Sequence, residues 1–140
     1  MRSVLIGAAA AGLLLAGTAG AATLSFSAHM VGSDEVPPNQ TTGSGDATAK
    51  LDTATKSFTY QGSYSGLTGP ATMAHFHGPA APGKNAPPVV PFKDPASPVR
   101  GQATLTDAQI ADLKNGLWYV NVHTAAHPGG EIRGQVKPAK

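Results

Sequence analysis

Hydrophobic and polar positions alternate with a period of two through much of the chain. From Thr23 to Met30, Leu24, Phe26, Ala28 and Met30 fall on one side and Thr23, Ser25, Ser27 and His29 on the other, which predicts a half-buried strand with His29 facing outward. The loop-like stretch from Gly32 to Gly45 contains Asp34-Glu35-Val36-Pro37-Pro38-Asn39. Alternation then resumes, with Ala47, Ala49 and Leu51 inward, and returns after a tight connection with Phe58 and Tyr60 sharing a face. Residues 117–123 are rich in aromatic and β-branched types, and residues 131–136 more weakly so. The Pro128-Gly129-Gly130 turn between them predicts a β-hairpin. Its phase sends Trp118, Val120, Val122, Ile132 and Val136 to the core. Tyr119, Asn121, His123, Glu131, Arg133 and Gln135 take the polar side, with His123 beside Glu131 if the register is symmetric about the loop.

One stretch is helical. Thr106-Asp107-Ala108-Gln109 is a capping box, with Ile110, Leu113 and Leu117 as an apolar stripe and Asn115-Gly116 as the stop, so a short helix spans about 106–115. Between Gly78 and Gly101 stand seven prolines, at 79, 82, 87, 88, 91, 95 and 98. Proline lacks the N–H that a central strand needs, so a long loop is expected there. Because it leaves directly from His77, it should roof whatever the histidines do.

The histidines carry the candidate chemistry. In Ala74-His75-Phe76-His77, two imidazoles one residue apart share a strand face with Met73, out of phase with the apolar Ala74 and Phe76. Core histidines would follow the apolar phase. Imidazole nitrogen suits copper and zinc, so the metal-site candidates are His75, His77 and His123, completed by Glu131, His127 or water, with Met73 or Met30 as a soft axial ligand favouring copper. The alternative is a hydrogen-bonded network of His75, His77, Asn121, His123, Glu131 and Arg133 that pins the loops together. Glu131 and Arg133 read as a surface cross-strand pair worth less than about 1 kcal/mol, and Trp118 as a core anchor.

The first residues and the composition place the chain. Met1-Arg2, an apolar run from Val4 to Leu15 and Ala19-Gly20-Ala21 form a secretory signal pattern over residues 1–21, leaving a single domain over 22–140 without a membrane anchor and located in the periplasm or outside the cell. Loss of Arg2 lowers the formal charge from +2 to +1, since 9 basic side chains then face 8 acidic ones. No basic run is present, which argues against nucleic acid. There is no cysteine, hence no disulfide, thiolate site or thiol nucleophile, while 17 glycines and 12 prolines favour short strands and turns. No nucleophile elbow, phosphate loop or dinucleotide fingerprint occurs, so an enzyme is less expected than a binding module.

Ala74-His75-Phe76-His77-Gly78-Pro79, Leu105-Thr106 with Gln109 and Leu113, Gly116, Tyr119-Val120-Asn121-Val122-His123-Thr124 and Gly130-Glu131-Ile132-Arg133-Gly134-Gln135 together resemble the CHRD domain, over roughly residues 23–137. The resemblance implies an all-β, immunoglobulin-like or Greek-key sandwich or barrel, of the type found in small exported bacterial proteins, whose partner would be an extracytoplasmic protein or a metal ion. A second resemblance covers only His75-Phe76-His77, which is similar to the copper-binding strand of Cu/Zn superoxide dismutase. It implies copper, and as an alternative a dismutase-like copper enzyme, although the disulfide pair and a matching bridging histidine are missing.

Overall fold

The structure is a computed structural model that describes residues 20–140. The signal pattern, apart from its last two residues, lies outside the described residues. Nine strands form one antiparallel, nearly closed sheet: β1 (Thr23–Val31), β2 (Ser44–Asp52), β3 (Ser57–Ser65), β4 (Ala71–His77), β5 (Pro88–Pro91), β6 (Val99–Thr104), β7 (Tyr119–Thr124), β8 (Ile132–Gln135) and β9 (Lys137–Pro138). Their spatial order is β5-β4-β7-β8-β1-β2-β3-β6, with β9 also on β1. The long pairing of β1 with β2 and of β2 with β3 makes one half of the barrel. The antiparallel pairs β4–β7 and β7–β8 make the other. Between them the only β1–β8 partners are Val31 and Arg133.

The core lies where these halves face each other. Phe58 and Tyr60 of β3 meet Phe76 of β4 edge-on, with ring centroids 5.2 Å and 5.1 Å away, and Trp118 closes the cluster 5.5 Å from Phe58. Leu51, Phe58, Trp118, Val120, Val122 and Ile132 are completely buried. Each such side chain contributes about 2–3 kcal/mol of transfer free energy, and with no disulfide this burial carries most of the stability. The inward phases expected for β1, β2, β3, β4 and β7 all hold, and His29 faces outward against Asp46, at 2.8 Å.

The helix α1 (Asp107–Lys114) begins at Thr106, whose hydroxyl accepts from the Gln109 N–H at 3.1 Å while Gln109 Oε1 accepts from the Thr106 N–H at 2.9 Å. Leu113 is its buried anchor. The all-β class with one short helix therefore stands as the pattern predicts. The Pro-rich segment differs in one respect: residues Pro88–Pro91 form β5, at the edge of the sheet against β4. An edge strand needs donors on one side only, so the prolines cost nothing there, and Val90 and the Phe92 N–H supply the packing and the bond to Ala74 O.

Candidate metal centre

Alternation along β4 puts Met73, His75 and His77 on the outer face, and the β4–β7 register sets Met73 opposite His123, His75 opposite Asn121 and His77 opposite Tyr119. The consequence is a cluster. His75, His77 and His123 each bring one ring nitrogen within 4.8 Å of the others, and the His75 ring centroid lies 5.3 Å from that of His77 and 5.2 Å from that of His123.

Two of the rings are poised with an open nitrogen. His123 donates Nδ1–H to Pro128 O at 2.9 Å, which leaves Nε2 as a lone pair, buried and without a partner. His75 Nδ1 is buried and unpartnered too. A buried polar atom with no partner is costly, and two of the three clustered rings carry one. A ligating histidine usually donates its second ring N–H to a carbonyl, as His123 does. His77 donates Nδ1–H to Ala86 O at 2.8 Å and sets Nε2 2.9 Å from the Asn121 side-chain amide, so it must exchange Asn121 for a metal to become a third ligand. Desolvation lowers the pKa of His75 and of His77, helped by the neighbouring imidazoles, so both are held neutral, the form that ligates.

The outer face of β7 is roofed by the segment after His77. His77 stacks on the Tyr119 ring, with centroids 4.6 Å apart, and the Arg133 guanidinium lies 3.5 Å from the same ring centroid. Arg133 also donates to Lys84 O at 2.6 Å and Asn85 Oδ1 at 3.0 Å, and Gln135 donates to Ala80 O at 2.8 Å. The segment after His77 thus covers His77 and Tyr119, and its contacts with Arg133 and Gln135 tie it to β8. Arg133 is not the surface residue that strand phase suggests: it is 1 % exposed because the roof covers it.

Glu131 and His127 stand apart from the three-imidazole cluster. Glu131 keeps its place beside His123 in register, its N–H bonding Val122 O at 2.7 Å, but β8 begins only at Ile132 and alternation does not reach it. Its carboxylate turns to the side of Thr124, fully buried. There it accepts from the Thr124 hydroxyl at 2.9 Å, the Thr41 hydroxyl at 3.1 Å, the Thr68 N–H at 3.0 Å and the Thr68 hydroxyl. Burial raises its pKa, but these donors outweigh it and hold the carboxyl below the ordinary range. The expected pair with Arg133 is replaced by this threonine cage, and His127 lies 3.8 Å from the carboxylate.

A further acid escaped the sequence reading. Glu35, in the turn after the 3-10 segment Gly32–Asp34, is buried beside Asn121 with Oε1 unpartnered. Desolvation pushes its pKa up to about 7, against the lowering pull of Arg133 and Asn121. Asn121 stands between the two groups, its Oδ1 2.9 Å from His77 Nε2 and its side chain hydrogen-bonded to the Glu35 carboxyl. The sequence places Glu35 only in a loop-like stretch beside Pro37 and Pro38. Below the unfolded value of 4.5 both states are protonated; between 4.5 and about 7 only the unfolded state ionises, so stability falls as pH rises and then levels. Glu35→Gln mimics the neutral acid. It should match the wild type in urea unfolding at pH 4 and exceed it by about 2 kcal/mol at pH 8; an equal gain at both pH values would refute the buried-acid account.

The family model of the CHRD domain matches residues 26–136. No curated protein and no solved structure matches the chain.

Proposed function

This chain belongs to the CHRD domain family, and we propose that it works as an exported, periplasmic or secreted, binding module whose outer sheet face holds one transition-metal ion, copper or zinc, through His75, His77 and His123. The observation that carries this reading is the grouping of one ring nitrogen each from His75, His77 and His123 within 4.8 Å of one another, where His75 Nδ1 and His123 Nε2 are buried and unpartnered. Two paired strands hold His75 and His123 side by side before any ion arrives, which lowers the ordering cost of binding, while His77 has to release Asn121 to join them. Export is supported by the signal pattern at residues 1–21. No described helix is long and apolar enough to cross a membrane.

A second reading has its own support. His77 is bonded at both nitrogens and Arg133 ties the roof down, so the cluster also works as a polar network that positions loops for a protein partner. Metal titration separates the two. The purified domain should take up one equivalent of Cu or Zn. His123→Ala should weaken uptake by about 100-fold or more, the loss expected once a ligand rather than a mere supporting bond is removed. His29→Ala, on the exposed His29–Asp46 pair, should leave it unchanged. No uptake by the wild type, or equal loss in both variants, rejects the metal reading. Measuring superoxide consumption by the copper-loaded protein tests the dismutase-like alternative in the same preparation.

A further inference from the structure

Three imidazoles leave one side of the cluster to fill, and β4 supplies a candidate. Met73, His75 and His77 occupy alternate positions on the outer face, and Met73 is the cross-strand partner of His123. It therefore borders both rings that carry an open nitrogen: one residue pair along the strand from His75, and directly across from His123. At 50 % exposure it is the most exposed large hydrophobic residue among those described. A lone exposed apolar side chain needs no explanation in general. A methionine placed by register next to two histidines that each carry a buried, unpartnered nitrogen does. Met30, the other methionine eligible by sequence, is buried in the core at 1 % exposure and is excluded as a ligand.

The charge of the site points the same way. Glu131 is committed to its threonine cage, and among the described residues the grouping that could hold an ion consists of the three histidines, with no carboxylate. The fixed charge nearby is positive: Arg133 stacks on the Tyr119 ring that itself stacks on His77. A ligand set made only of neutral imidazole and thioether, next to a guanidinium, accepts a monovalent cation at less electrostatic cost than a divalent one. Thioether sulfur is a soft donor that suits Cu(I) and adds little for Zn(II).

Building on the metal reading above, we infer that the site is selective for copper in its cuprous state and that Met73 Sδ is the fourth ligand beside His75, His77 and His123. Copper enters and leaves as Cu(I), with no change of oxidation state required. Met73 supplies selectivity rather than the bulk of the affinity, which the imidazoles provide.

The test uses the purified domain under anaerobic conditions, titrated with Cu(I) against a chromophoric Cu(I) chelator and separately with Zn(II). Met73→Leu keeps the size and apolar character of an exposed residue, so folding is retained. It should weaken Cu(I) binding by about tenfold while leaving Zn(II) binding within about twofold, and X-ray absorption should show a sulfur neighbour of copper in the wild type that Met73→Leu lacks. If the wild type binds metal but Met73→Leu binds Cu(I) equally well and no sulfur neighbour is seen, the inference falls and the three-histidine reading stands. If the wild type binds neither ion, or His123→Ala binds both as well as the wild type, the metal reading itself falls and the inference with it.

Discussion

Glu131→Ala should cost about 4 kcal/mol of folding stability at neutral pH, a large share of the margin of about 5–15 kcal/mol usual for a domain. The carboxylate is fully buried and receives hydrogen bonds from Thr41, Thr68 and Thr124, donors drawn from the loop before β2, the loop before β4 and the end of β7. Alanine leaves those donors buried without an acceptor and opens a cavity among segments up to 90 residues apart in sequence. Glu131→Gln should cost about half as much, because the amide oxygen still accepts while its NH2 group meets the Thr68 N–H as donor against donor. Since the folded pKa lies below the usual carboxylate value, this contribution is fully present above the unfolded pKa and fades as pH falls through the folded one. Chemical denaturation of the three proteins at pH 7 and pH 3 measures it. The gap between wild type and Glu131→Ala should narrow at pH 3, and a gap that is small at pH 7 would mean the cage is not formed. The dependence is opposite in sign to that of Glu35, so the two acids can be told apart in one pH series.

Strand phase made the outer face readable, and burial did not. Period-two alternation assigned Leu24, Phe26, Ala28 and Met30, then Ala47, Ala49 and Leu51, to the core, and it separated His75, His77 and His123 from Phe76, Val120 and Val122. Those assignments need only a residue's neighbours along its own strand. The capping box is equally local. Arg133 and Glu131 failed that kind of reading because their environments come from distant chain: Lys84 and Asn85 lie 49 and 48 residues from Arg133, and Thr68 lies 63 from Glu131. A polar residue on the outer phase of a strand looks solvated until something covers that face. Here residues 78–87 cover it, and a proline-dense stretch carries no mark of where it will lie. Glu35 was obscured for the same reason, since turn composition around Pro37 and Pro38 accounts for a surface acid as well as for a buried one.

The cluster was legible as a convergence of three histidines, but its completeness was not. Glu131 and His127 were eligible by proximity to the hairpin loop, and the break in alternation before Ile132 sends Glu131 to the other side. Met73 was legible by phase alone, and the β4–β7 register is what brings it opposite His123. Register is set by turn geometry and by which apolar residues interlock across strands, such as Phe76 with Val120 and Ala74 with Val122, and so it belongs to the folded barrel.

The join between the two halves of the barrel carries the second large effect, at Gly134. A Cβ there would lie 2.1 Å from His29 O, 2.7 Å from His29 C and 3.2 Å from Met30 N, all backbone atoms of β1. Backbone cannot swing aside as a side chain does, so Gly134→Ala must push β8 off β1. β1 meets β8 at a single partner pair, Val31 with Arg133, and the displacement would part the halves next to that pair. Overpacking that cannot relax costs about 3 kcal/mol or more. It also moves Arg133 and with it the anchor of the roof over His77. Gly129→Ala is the matched control, with no heavy atom within 4 Å of its added Cβ, and should change stability by less than about 0.5 kcal/mol. Thermal unfolding of both variants, together with hydrogen exchange at β1 and β8, reads the difference. Rapid exchange in β8 with β2 and β3 still protected is the expected signature of Gly134→Ala, because the β1–β2–β3 pairing does not depend on the join. Wild-type stability in Gly134→Ala would show that β8 does not lie against β1, and the path by which Arg133 reaches the outer face would have to be redrawn.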